Sequence, residues 1–357
     1  MYRRIAVKIG SNVLTRADGT LSVTRMSALV DQIAHLRESG IEVIVISSGA
    51  VASGRGEIKH RSKMDSVDER QLFSAVGQAK LINRYYELFR EHGTTVGQVL
   101  TTKESFATRQ HYLTQRNSMR VMLVNDVIPI VNENDTISVT ELMFTDNDEL
   151  GGMVASMMDC GALVILSNID GIYDGSPSDP ASRVIAQVAH GDDISSYIQV
   201  AKSGFGRGGM LTKTTIARKV ADEGIEVIIA NGLKDNILID LIEKPASTLC
   251  TRFVAAQGGV STLKKWIAHS DGFAKGEIHI NEQASAALQG DTAVSLLPIG
   301  VVGVDGDFEK DDIVRVIDHR GVQIGVGRSS FSACESRVMI GLHGQKPLIH
   351  YDYLYLE

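Results

Sequence analysis

The chain has 357 residues, 43% hydrophobic and 22% charged, with a formal net charge of −7 at pH 7, enough length and apolar content for a large core and two domains. The acidic balance gives no global attraction to nucleic acid or an anionic membrane, and no run approaches the roughly 20 apolar residues of a membrane span. Cys160, Cys250 and Cys334 lie far apart with no C-x-x-C pair, which argues against a zinc site or disulfide framework and fits a reducing cytoplasm.

Strand-like and helix-like segments alternate as far as about Ile242, the pattern of an α/β sandwich with a mainly parallel sheet. Ile5 to Ile9 reads as the first strand. Met26, Leu29, Val30, Ile33 and Leu36 then fall at helical spacing between Thr24, an expected N-cap, and Gly40, an expected C-terminal glycine. Val43 to Ile46 gives the next strand. Leu72 to Phe89 gives a long helix ending near Gly93, and Thr95 to Leu100 and Ile128 to Val131 give further strands. The alternation continues with a helix from Leu150 to Met158, a strand from Leu163 to Leu166, a helix from Leu211 to Val220 and a strand from Val227 to Ala230.

Past Lys244-Pro245 the alternation stops. The expected division is a first domain over residues 1–243, a linker over 244–274 and a small β-rich domain over 275–357 with one helix from Glu282 to Leu288. That last part carries seven Lys and Arg against twelve Asp and Glu, a net charge of −5, which disfavours an RNA-binding role built on phosphate contacts.

In a parallel α/β sheet, ligands gather at the carboxyl ends of the strands, and the polar clusters of this chain stand there. The first strand runs into Lys8-Ile9-Gly10-Ser11, the second into Ser47-Ser48-Gly49, the fourth into Asn132-Glu133-Asn134-Asp135, and a later one into Ser167-Asn168. Asp146-Asn147-Asp148 opens a helix, and Gly204 to Lys213 is a glycine-rich run leading into another. Taken singly, these also have plain structural readings, Lys8 as a snorkelling edge lysine and the others as turns and helix caps, with Asn132 to Asp135 the hardest to dismiss as a turn. Their conjunction is more specific. A lysine inside an apolar strand is costly without an anion, and a second lysine behind glycine-rich backbone at a helix start suits a nucleoside triphosphate. Met210 stands where a Walker A loop would have its lysine, so this is not that motif. Carboxylates and amides opposite the lysines suit a polar second substrate, and the set points to phosphoryl transfer.

VKIGSNVL, ISSGAVASG, AVGQAKL, PIVNEND, DNDEL and GRGGMLTK, in that order, resemble the glutamate 5-kinases of the amino acid kinase family, whose αβα sandwich commonly carries a C-terminal PUA domain. KKWI and GEIHINEQASAAL look like the junction and that domain. The resemblance implies ATP and Mg²⁺ as cofactors, with L-glutamate converted to L-glutamyl 5-phosphate as the first step of proline synthesis. It assigns ATP contacts to Lys8, Gly10, Ser11, Ser167, Asn168 and the stretch Arg207, Gly208, Gly209, Met210, Leu211, Thr212 and Lys213. It assigns glutamate contacts to Ser48, Asn134, Asp135 and Asn147, and catalytic roles to Lys8, Asp148 and Lys213, with Asp148 holding the lysines. It further implies inhibition by proline, a homo-oligomer and transfer of product to glutamate-5-semialdehyde dehydrogenase. Ser167-Asn168 departs from the usual Thr-Asp, Thr145 from a frequent Gly, and Gly151-Gly152 from a frequent Ser-Ala.

Overall fold

A computed structural model describes residues 2–58, 65–138, 144, 147–177, 179–192, 210–257, 266–267, 271–290 and 294–356. The chain divides into two units, Met1–Ser105 with Gln110–Gly259, and Phe106–Arg109 with Val260–Glu357.

Among the described residues of the first unit, short runs form eight strands: β1 (Arg4–Ile9), β2 (Glu42–Ser47), β3 (Thr95–Thr101), β4 (Val127–Glu133), β5 (Ala162–Ser167), β6 (Gln187–Val188), β7 (Glu226–Asn231) and β8 (Thr251–Phe253). They make one sheet in the order β3-β4-β2-β1-β5-β7-β8-β6. Every pairing is parallel except β7 with β8, so the sheet is mainly parallel, as the alternation predicts. β8 falls inside the interval read as linker. Three residues in a polar surrounding carry no periodicity by which to find it.

Among the described residues the helices of this unit are α1 (Ser11–Leu14), α2 (Val23–Glu38), α3 (Ala50–Arg55), α4 (Ser66–Glu91), α5 (Glu104–Ala107), α6 (Arg109–Val124), α7 (Asn147–Met157), α8 (Met210–Asp222) and α9 (Ile237–Glu243). α5 and α6 straddle the division between the units. α2 starts behind Ser22 and not Thr24, and ends where Gly40 takes φ +85°, the left-handed conformation that stops a helix. α4 starts earlier than Leu72, because the Asp65 side chain accepts from the N–H groups of Val67 and Asp68, both at 2.9 Å. α6 has no counterpart among the expected helices. Only Tyr112 and Met119 of it are buried, too few apolar positions to mark a stripe.

β1 lies in the middle of the sheet, with Lys8 opposite Ile46 of β2 and Ile165 of β5. Ile5, Val7, Ile9, Val45, Ile130, Val164 and Ile228 join Met26, Leu29, Leu81 and Phe89 of α2 and α4 in one apolar core.

The second unit has a five-stranded sheet in the order β10-β9-β11-β12-β13, from β9 (Gly276–Ile280), β10 (Val301–Gly306), β11 (Ile313–Ile317), β12 (Gln323–Arg328) and β13 (Leu354–Leu356). Ile278, Ile280, Val314, Val316 and Leu348 are central to its core. α10 (Glu282–Leu288) matches the expected helix, and α11 (Ala333–Met339) is fixed by a capping box of Ser332 and Glu335. Within this unit the Trp266 indole N–H donates to the Phe106 carbonyl at 2.9 Å.

α3 and α4 approach each other through glycine. A Cβ on Gly77 would lie 1.8 Å from the Ala50 carbonyl oxygen, and one on Gly54 would lie 1.9 Å from that of Phe73. Both obstacles are backbone, so neither yields by side-chain rotation. Gly77→Ala is expected to lower stability by about 3 kcal/mol or more, as overpacking of a rigid contact does, read as a drop in the urea midpoint. An unchanged midpoint would mean that the two helices are free to separate.

Candidate active site

Lys8 and Asp148 meet as a buried ion pair at the carboxyl edge of the sheet. Lys8 is 6% exposed and Asp148 is not exposed at all. Asp148 sits in the first turn of α7, where the unpaired N–H groups of a helix start favour a carboxylate. Its Oδ1 is 2.5 Å from the Lys8 ammonium and its Oδ2 is 2.8 Å from that of Lys213 in the first turn of α8. One carboxylate therefore holds two ammonium groups, leaving a local charge of +1. Burial alone pushes the Asp148 carboxyl up, but the charges of Lys8 and Lys213 outweigh it and hold the group below the usual carboxylate range.

Small residues permit this approach. A Cβ on Gly152 would lie 2.9 Å from Val220 and 3.1 Å from Ile216, so the glycine lets α8 pack close on α7. Gly10 is pinned by its N–H to the Leu166 carbonyl at 3.1 Å, and a Cβ there would be 3.6 Å from the Lys8 ammonium.

A second set of groups runs from β2, β4 and α7. The Asn147 amide donates to Ser48 Oγ at 2.8 Å and to Asn132 Oδ1 at 3.2 Å, and Asn132 donates to Gln78 at 2.8 Å. Gly49, at φ +108°, turns the chain from Ser48 into α3. A third set is acidic. The Arg70 guanidinium donates through Nε to Asp135 Oδ1 at 2.7 Å and through Nη2 to Glu133 Oε2 at 3.0 Å, and a further short bond joins it to Asp135. Ser74 Oγ donates to Asp135 Oδ2 at 3.2 Å, and Glu133 Oε1 accepts from the Phe144 N–H at 3.0 Å. Burial and the neighbouring charge of Asp135 push the Glu133 carboxyl up.

Members of all three sets line one cleft of about 680 Å³, the size of a site for a nucleotide fragment or small metabolite. Of the residues expected from sequence, Lys8, Gly10, Ser11, Ser48, Asp135, Asn147, Asp148, Ser167 and Lys213 line it. Asn134 instead closes a turn, its carbonyl accepting from Ile137 and Ser138 and its Oδ1 from Thr136. Asn168 is exposed, and Met210, Leu211 and Thr212 form the first turn of α8 without lining the cleft. Arg207, Gly208, Gly209 and Asp146 lie outside the described residues.

Arg70, Ser74 and Gln78 were not singled out from sequence. They stand four residues apart on one face of α4, and that face meets Glu133, Asp135 and Asn132. Beyond β5, Asp170 pairs with Lys234 at 2.8 Å and accepts from Asn231 at 3.0 Å, a polar group next to Ser167-Asn168 that sequence also left unmarked.

The amino acid kinase family profile matches residues 3–231 and the PUA domain profile residues 276–350. A protein of Bacteroides thetaiotaomicron named Glutamate 5-kinase is 69% identical over 356 residues, covering 100% of this chain and 99% of its own. One of the same name from Chlorobaculum tepidum is 45% identical and covers 100% and 98%. Among solved structures, a UMP kinase from Ureaplasma parvum superposes with a TM-score of 0.50 at 16% identity, covering 71% of this chain and 99% of that one, a likeness of fold.

Asp148→Asn keeps the shape of the buried group and removes the charge that both lysines face. Removing one partner of a buried ion pair costs about 3–5 kcal/mol, so a large loss of urea stability is expected at pH 7. Because the folded pKa is lowered, the native contribution is complete above the ordinary carboxylate value of about 3.9 and fades as pH falls through the folded value. The gap between the two proteins should therefore narrow below about pH 4. A gap that is constant with pH would assign the loss to packing.

Proposed function

The chain belongs to the amino acid kinase family, among its glutamate 5-kinases, and we propose that Lys8 and Lys213, set by Asp148, carry the phosphoryl group from ATP to the side-chain carboxylate of L-glutamate. The buried ion trio is the observation that supports this reading. It presents two fixed ammonium groups with a surplus positive charge, in a cleft large enough for phosphates and an amino acid.

A side-chain carboxylate with a pKa near 4.3 is ionised at pH 7, so the nucleophile needs no general base. Its oxygen attacks the γ-phosphorus of ATP, the bond from that phosphorus to the bridging oxygen breaks, and ADP departs with the electron pair; no proton moves. The barrier is the approach of two anions. Positive charge at the phosphoryl oxygens lowers it, and Lys8 and Lys213 supply that charge without reorganising, since Asp148 has already fixed them. Mg²⁺ belongs to this reading as the ion that accompanies ATP phosphates. Among the described residues no three His, Cys, Asp or Glu side chains converge on a cage, so no protein ligand is assigned to it.

For glutamate, the Ser48 hydroxyl and the Asn147 amide offer neutral donors to carboxylate oxygens. The Arg70, Glu133 and Asp135 group carries a summed charge of −1, the complement of one ammonium. Ser167, at the end of β5, lines the cleft on the side assigned to the nucleotide. The same family reading brings proline as a feedback inhibitor, a homo-oligomer in the cytoplasm and delivery of the labile acyl phosphate to glutamate-5-semialdehyde dehydrogenase.

Incubation with ATP, glutamate and hydroxylamine should trap the product as its hydroxamate. Lys213→Ala is expected to lower kcat by about a hundredfold or more while glutamate KM changes little, the signature of a contact made in the transition state. Absence of hydroxamate above background would remove the kinase reading, and an unchanged kcat would remove Lys213 from the transition state.

A further inference from the structure

Arg70 is outside the lysine trio, yet it governs the acidic side of the same cleft. Glu133 and Asp135 are 4% and 7% exposed and stand side by side at the end of β4, an arrangement in which one of two carboxylates would normally keep a proton. The guanidinium spans both. It takes Oδ1 of Asp135 and Oε2 of Glu133, while the second oxygen of each carboxylate meets a neutral donor, Ser74 Oγ for Asp135 and the Phe144 N–H for Glu133. Among the described residues Asp135 Oδ2 receives one long bond of 3.2 Å and retains acceptor capacity.

We propose that Arg70 is a positioning residue for the substrate ammonium: it fixes the rotamer of Asp135 and offsets one of the two formal carboxylate charges of Asp135 and Glu133, so that one cation is bound. This rests on the reading that Asp135 meets the ammonium of glutamate. Arginine suits the task because its planar fork reaches two carboxylates at once and keeps its charge at any working pH. The backbone around it is built to hold that fork. Asp65 caps α4 five residues earlier, and the glycine contact at Gly77 sets the helix against α3. Other charged groups near these carboxylates are Glu69 and Arg55 on the cleft wall, the Lys8, Asp148 and Lys213 trio, and Lys103, which lies over the Phe144 ring and pairs with Glu149 at 3.3 Å.

The test compares Arg70→Gln, Arg70→Lys and Asp135→Asn in the full chain by steady-state kinetics across pH. Arg70→Gln is expected to raise glutamate KM about tenfold or more, because Asp135 is no longer held in place for its charged hydrogen bond to the ammonium, with ATP KM and kcat within about threefold of wild type. The charge of Arg70 opposes the upward push that burial and Asp135 give the Glu133 carboxyl, so without the guanidinium that carboxyl rises further and the acid limb of kcat/KM for glutamate should move to higher pH. Arg70→Lys keeps the charge but cannot span both groups; it should restore the limb and only part of the KM, and it carries the same comparison if Arg70→Gln does not fold. A normal glutamate KM in Arg70→Gln, with a raised one in Asp135→Asn, overturns the role of Arg70 and leaves the ammonium reading standing. A normal KM in Asp135→Asn removes both. Equal losses toward ATP and glutamate with an unmoved acid limb would make Arg70 merely structural, and the proposal would fall.

Discussion

One carboxylate with no exposed surface, Asp148, is the constraint on which the site depends. A lysine in the middle strand of a buried sheet must find an anion or lose its charge, and Lys8 finds Asp148. A single lysine would leave a neutral pair of little use to a phosphate. The second lysine, on a different helix, converts the pair into a cationic group whose positions are fixed before any substrate arrives. The desolvation of three charges is the cost, and the return is preorganised charge of the kind that phosphoryl transfer requires.

That constraint reaches back into ordinary packing. α7 can present Asp148 to Lys213 because Gly152 lets α8 come close, and α4 can present its polar face to β4 because Gly54 and Gly77 allow it to press on α3. The cleft therefore has two sides of opposite character. On one side, two ammonium groups share a carboxylate; on the other, two carboxylates share a guanidinium. Each arrangement gives two buried groups of like charge one shared counter-ion, and each leaves a formal residual unit of charge, positive on the lysine side and negative on the other.

The first of these sides was legible in the sequence; of the second, the acidic run after β4 was legible and the arginine that its carboxylates share was not, for physical reasons. Lys8 stands out because nothing else polar belongs in an apolar central strand, and Asp148 because it opens a helix beside amide and carboxylate neighbours. Arg70, Ser74 and Gln78 lie at four-residue spacing on a long amphipathic helix, where polar residues ordinarily mark the solvent face. Nothing in their spacing tells a helix face turned to water from one turned to the acidic end of a strand. The fold was legible through the alternation of strands and helices, except where the signal was weak. α6 buries two side chains, and β8 is three residues long. Asn134 reads in sequence as one of four equivalent polar residues, yet the turn that follows β4 uses its backbone and side chain for chain reversal.

If the two lysines act as one device through Asp148, their effects on the reaction cannot be independent. The direct test is the kcat of a Lys8→Met, Lys213→Met double variant measured beside each single variant. Shared action predicts that the double loss is close to that of the more damaged single variant, as seen when catalytic groups work as a unit. A double loss equal to the product of the single losses would show two lysines acting separately, and would contradict the role given to Asp148.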